Sequence, residues 1–141
     1  MNTLNISYKK VDNNDLTISN FFDKHFMEYS MKKINMDSKY EEFIFASYDD
    51  NKLIGAIKSS ILYNVLHIEL LIIDSIYRKL GIGNSLYNLV INYAKERDCS
   101  LATVETFDFQ APEYWKNHGF KVDFIRAGYN GNSLYYLSRD I

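Results

Sequence analysis

The segment Arg78-Lys79-Leu80-Gly81-Ile82-Gly83 has the residue types and spacing to hold an anion. An apolar run, Leu66 to Ile73, precedes it, and Ile82, Leu86, Leu89, Val90 and Tyr93 follow at the spacing of one helix face. A loop that leaves a strand and opens a helix turns its main-chain N–H groups toward one point. There the helix-terminal donors lack partners and the dipole is positive. Such a point suits a phosphate. Gly81 and Gly83 are both expected to allow positive φ and close approach to the anion, while Arg78 and Lys79 add charge at the rim. A dinucleotide fingerprint would need Gly or Ala where Leu86 stands, and a nucleoside-triphosphate loop would need Gly-Lys-Ser or Gly-Lys-Thr; neither is present. Two glycines alone also fit a plain strand-to-helix turn.

The strand before the loop carries two titratable side chains. A period of two puts His67, Glu69, Leu71 and Ile73 on one face, so His67 and Glu69 share the side of the residue that abuts the loop. The structural alternative is a hydrogen-bonded surface histidine beside a cross-strand paired carboxylate. His25 stands on an aromatic helical face and His118 near a helix end, where each has a structural explanation. Three histidines at 25, 67 and 118, with Cys99, have no metal-ligand spacing, so no metal is expected. No Gly-x-Ser-x-Gly turn supports a serine hydrolase.

These residues need a scaffold, and 141 residues suffice for one domain, 1–141, that buries roughly two thirds of its unfolded surface. Leu4 to Lys10 alternates as a first strand, and Ile18, Phe21, Phe22, His25, Phe26 and Tyr29 recur as one face of a first helix. Phe43 to Tyr48, a polar turn at 49–52, and Leu53 to Ile61 read as a hairpin that Leu66 to Ile73 extends. After the loop helix come a strand at Leu101 to Thr106, a short helix at Ala111 to His118, and two closing strands at Gly119 to Arg126 and Leu134 to Ser138. This order predicts an α+β fold: a single mixed, largely antiparallel sheet of about six to seven strands, with helices packed on both faces. The segment from Leu66 to Thr106 should be a parallel crossover. Tyr129, Tyr135 and Tyr136 are candidates to line a groove, although closing-strand tyrosines more often pack.

The formal charge of -2, without a basic stripe, argues against nucleic acid as a partner. No apolar run has the length of a membrane span, the first residues lack the pattern of a signal peptide, and one cysteine allows no intrachain disulfide. The expectation is a cytoplasmic protein.

The loop, together with Trp115-Lys116-Asn117-His118-Gly119-Phe120 later in the chain, resembles the two signatures of the GNAT superfamily of acetyl-CoA dependent N-acetyltransferases. The family's loop is Gln or Arg, two residues, Gly, one residue, Gly or Ala. Its second signature is a short helix ending in an aromatic, three residues, then Gly-Phe. The order of elements from Leu4 to Leu137 is similar as well, so the resemblance covers nearly the whole chain.

The resemblance implies acetyl-CoA as acyl donor, with its pyrophosphate on the N–H groups of Leu80, Gly81, Ile82, Gly83 and Asn84. It also implies that the strand edge at Ile72 and Ile73 pairs with the pantetheine arm. Two pantetheine amides and a splayed strand are suited to each other. Arg78, Lys79 and Trp115 complete the expected coenzyme site. In this family a Glu or His at position 67 or 69 often serves as general base, and Glu69, nearer the expected thioester, is favoured. The expected reaction is direct attack by a primary amine of a small molecule or peptide, with a homodimer left open. One departure stands out: Trp115 replaces the family's usual tyrosine acid, and an indole N–H does not serve as an acid near neutral pH. Tyr114 is adjacent, but consecutive helix residues point about 100° apart, so it is not expected to reach the thioester. The expectation is therefore that thiolate leaves unaided. The alternative is a non-catalytic acyl-CoA binding or regulatory module of the same fold.

Overall fold

The computed structural model describes residues 3–141. The chain contacts divide it into two compact units, one ending at Lys39 and the other Tyr40–Ile141.

The first unit contains one long helix, α1 (Leu16–Ile34). Asp15 starts it by accepting the Thr17 N–H at 2.9 Å, and Asn35 ends it in the left-handed region at φ 52°, with Lys32 and Lys33 in the last turn. The aromatic residues expected on one face do interact along it: Phe21 stacks near His25 with ring centroids 4.4 Å apart. His25 also lies 3.7 Å from Glu28. Leu4 to Lys10 is not a strand. Its alternation describes a surface that pairing would have to recruit, and no ladder recruits it.

The second unit is a six-stranded sheet in the order β1-β2-β3-β4-β6-β5, built from β1 (Glu41–Asp49), β2 (Lys52–Leu62), β3 (Val65–Ile73), β4 (Leu101–Phe107), β5 (Lys121–Tyr129) and β6 (Asn132–Asp140). Only β3 and β4 run parallel, joined across α2 (Ile82–Lys95). A second short helix, α3 (Pro112–Asn117), has Pro112 in its first turn, where a missing N–H costs nothing. The hairpins close on two-residue turns with positive φ: Tyr63 and Asn64 between β2 and β3, and Asn130 and Gly131 between β5 and β6. That geometry matches the right-handed strand twist.

Ile57, Leu66, Ile68, Val104 and Leu137 on the sheet meet Leu86, Val90 and Ala94 of α2 and Trp115 of α3 in one buried cluster. Of the stripe read from the sequence, Leu86 and Val90 are buried and Ile82 and Tyr93 pack at the edge of the cluster, whereas Leu89 is exposed. Tyr87, Ile91 and Ala94 are buried in addition. So seated, α2 fixes the loop that precedes it.

Candidate active site

Two features of β3 create the site. Its pairing with β4 runs from Val65 opposite Leu101 to Ile68 opposite Val104 and then stops. At that point the register with β2 shifts: Ser59 faces Ile68 but Lys58 faces Leu70, so Glu69 is an extra residue in a β-bulge. A bulge bends its strand, and here β3 parts from β4. The opening is a cleft of ≈ 710 Å³ bounded by the end of β3, the Arg78–Asn84 loop, the end of β4 and α3.

The bulge corrects the expected face pattern. Before it Leu66 and Ile68 point into the core, and after it Leu71 and Ile73 do. His67 and Glu69 instead point away, with the exposed Leu70 and Ile72. The one-residue insertion shifts alternation, which period-two counting from sequence does not register. Gly55 accommodates this arrangement, because a Cβ there would come within 2.6 Å of Ile73 Cδ1 and 3.3 Å of the Ile72 carbonyl oxygen.

The open edge of β3 offers backbone groups. The Asp74 N–H turns to Ile54 on β2. Strand alternation then points the groups of Ile73 and Leu71 to the open edge and those of Ile72 to β2. In agreement, the Ile73 carbonyl accepts from Arg78 Nε at 3.2 Å. The sequence reading named Ile72 and Ile73 for this edge; the residues whose groups face it are Leu71 and Ile73, since only alternate residues present both groups on one edge.

The loop turns sharply, but not where both glycines predicted. Lys79 at φ 64° and Gly81 at φ 83° take the left-handed region, whereas Gly83 lies in the first turn of α2 without positive φ. Gly83 instead keeps space: a Cβ there would stand 3.5 Å from the Tyr114 hydroxyl and 3.8 Å from Ile73 Cγ1. No side chain caps α2, so the amides of Ile82, Gly83 and Asn84 keep their donors for an anion. Arg78, Lys79, Gly81, Ile82, Gly83 and Asn84 all line the cleft, while Leu80 points outward and is exposed.

Glu69 lines the cleft where the strands part and His67 does not. Glu69 accepts a hydrogen bond from the Tyr40 hydroxyl at 3.2 Å and lies 3.6 Å from Lys58 Nζ. His67 Nδ1 is engaged 2.7 Å from Thr103 Oγ1 on the paired part of β4.

Both aromatic residues of α3 reach the cleft, and they differ in burial. Trp115 is buried against Phe120 and Tyr87, with ring centroids at 5.5 and 6.1 Å. Tyr114 brings its hydroxyl to the first turn of α2, 3.2 Å from the Asn84 side chain. Tyr114 thus reaches the cleft without any rotation of the helix, and does so at the loop end, beside Gly83 and Asn84. Sequence reasoning did not count it in the coenzyme site; its place beside Trp115 was the available signal. Burial, with neighbouring Tyr87 adding, pushes its phenol up to about 12. Of the groove candidates, Tyr135 packs on the core cluster, Tyr136 lies 5.7 Å from the ring of Phe124 and Tyr129 lies 5.2 Å from that of Phe107. None of the three lines the cleft.

Among the described residues no group of His, Cys, Asp and Glu could hold a metal, and no helix is long and apolar enough to cross a membrane.

The model of the acetyltransferase (GNAT) family matches residues 11–120. Blasticidin-S acetyltransferase of Streptomyces morookaense is 30% identical over 83 residues, which are 56% of this chain and 61% of that protein. The match thus spans about three fifths of this curated relative. In fold the chain is similar to an acetyltransferase from Bacillus cereus ATCC 14579, with a TM-score of 0.76 and 24% identity over 94% of this chain and 98% of that one. It is also similar to the PaiA N-acetyltransferase of Thermoplasma acidophilum in complex with coenzyme A, with a TM-score of 0.61 and 14% identity over 91% and 80%. With a strand pair that parts at a bulge and an uncapped helix opening behind an Arg-x-x-Gly-x-Gly loop, this chain belongs to the GNAT acetyltransferase family.

Proposed function

We propose that this protein transfers an acetyl group from acetyl-CoA to a primary amine of a small molecule or peptide. The observation that carries the reading is the cleft itself, open between β3 and β4 at one end and walled by uncapped helix amides at the other. A pantetheine arm carries two amides along its length and a pyrophosphate at one end. The open-edge groups of Leu71 and the N–H of Ile73 suit the amides, and the amides of Ile82, Gly83 and Asn84, with Arg78 and Lys79 nearby, suit the pyrophosphate. The coenzyme complex of the PaiA relative supports the same class of donor.

This orientation sets the acetyl thioester beside Glu69. The amine nitrogen attacks the thioester carbonyl carbon, the C–S bond breaks, and thiolate leaves. Glu69 takes the proton that the amine loses, directly or through water, and water protonates the thiolate. An alkyl thiol with a pKa near the cysteine value of about 8.5 is a tolerable leaving group without a side-chain acid. Glu69 is preferred to His67 because it lines the cleft. A small-molecule acceptor is favoured by the curated relative named for blasticidin S.

Release of free thiol from acetyl-CoA, measured against a panel of amines, tests this. Native protein is expected to turn over with at least one amine, and Glu69→Gln to lose about a hundredfold to ten thousandfold in rate with acetyl-CoA affinity intact. Coenzyme binding without transfer to any amine would favour a regulatory module. A Glu69→Gln rate within a few fold of native would move the base elsewhere.

A further inference from the structure

We infer that Tyr114 is a coenzyme-binding residue, its hydroxyl proton turned into the cleft by a relay from His118 through Asn84 to meet an oxygen of the coenzyme where it passes Gly83. The inference rests on the acyl-CoA reading above.

The relay follows from hydrogen-bond accounting. His118 Nδ1 lies 2.8 Å from the carbonyl oxygen of Tyr114. A carbonyl only accepts, so Nδ1 carries the proton, and in a neutral imidazole Nε2 is then an acceptor. Nε2 lies 3.1 Å from the Asn84 side-chain atom placed as Oδ1, and the Tyr114 hydroxyl lies 3.2 Å from that same atom. An amide oxygen there would leave two acceptors facing each other. The amide NH₂ satisfies both neighbours with its two protons, and oxygen and nitrogen exchange by a half turn of the amide. With the imidazole neutral and the amide so turned, Asn84 donates to His118 and to the Tyr114 oxygen. With its oxygen accepting, the phenol keeps its own proton to donate. That hydroxyl stands 3.5 Å from the Cβ position of Gly83, in the wall of the cleft.

Rings hold the arrangement: the His118 ring packs 4.4 Å from that of Tyr114 and 4.6 Å from that of Tyr87. The signature helix thus gives this chain a tyrosine with a different task. It grips the coenzyme near the loop, beside Gly83.

Calorimetry with coenzyme A on native protein and Tyr114→Phe provides the test, with acetyl-transfer kinetics beside it. Removing a donor to a phosphate oxygen should weaken binding by about tenfold or more, and removing one to a neutral carbonyl by about two- to tenfold. KM for acetyl-CoA should rise while kcat is kept. Phe retains the ring, and an unchanged circular dichroism spectrum verifies the fold. His118→Leu should weaken coenzyme A likewise, His118→Gln should restore part of it through an amide oxygen, and His118→Leu should add no loss to Tyr114→Phe. Equal affinity of native and Tyr114→Phe would overturn the inference, as would a collapse of kcat at unchanged affinity, which would make Tyr114 the acid. Additive losses would overturn the relay. Native protein that binds no coenzyme A would instead overturn the acyl-CoA reading on which all of this stands.

Discussion

Gly83→Asp should abolish coenzyme binding while leaving the protein folded. Gly83 is the second residue of α2 and has no positive φ, so a side chain is admissible there. Its Cβ would meet the Tyr114 hydroxyl and Ile73 Cγ1 at 3.5 and 3.8 Å, ordinary contact distances. Aspartate in a first helical turn is favourable by about 0.3–1 kcal/mol, so the free protein should melt no lower than native. The carboxylate, however, enters the space assigned to pyrophosphate. Like unit charges about 4 Å apart repel by about 4 kcal/mol at the effective dielectric of a protein surface, or roughly a thousandfold in affinity. At acetyl-CoA about a hundred times the native dissociation constant, the native state gains about 2.7 kcal/mol. For a chain of this size each kcal/mol raises the midpoint by about 2–4 °C, so native protein should shift by roughly 5–11 °C. The variant, about tenfold below its own dissociation constant, should shift by under a degree. Differential scanning fluorimetry with and without acetyl-CoA reads both numbers, and Gly83→Ala serves as the control for helix propensity. Equal shifts for native and Gly83→Asp would show that the loop is only a turn.

Trp115→Ala should cost about 3–5 kcal/mol in denaturant unfolding, since it empties a site packed against Tyr87 and Phe120; a loss below about 1 kcal/mol would mean that the indole is not part of the core. Lys79→Gly relieves a left-handed backbone at φ 64° worth about 1 kcal/mol but removes a rim charge, so its melting midpoint should rise as its acetyl-CoA affinity falls; movement of both in one direction would contradict this. The Tyr114 phenol is held up to about 12, above its ordinary 10.0. The folded state therefore keeps a proton that the unfolded chain gives up, and stability declines as pH rises between those values. Tyr114→Phe should show a shallower alkaline decline across that window; parallel curves for the two proteins would refute it.

The sequence alone determined the elements from α1 onward and the sharp turn of the loop. Local signals were enough there: apolar spacing from Ile82 to Tyr93 made α2, Pro112 began α3, and Gly81 stood where the chain needed positive φ. The two spaced signatures carried the family, because each encodes a local turn that few other sequences make. Tertiary structure decided which atoms face the cleft. The bulge at Glu69 is a property of two strands in register; beyond it the side chains of Leu71 and Ile73 pack on the core and the backbone groups of those same two residues face the open edge. Leu4 to Lys10 alternates as a strand does, but a strand exists only when another edge accepts its hydrogen bonds, which one segment cannot reveal. Tyr114 likewise gained its place from the docking of α3 beside α2. Asn84 meets its hydroxyl, and His118 meets Asn84 34 residues away in sequence, only through that packing.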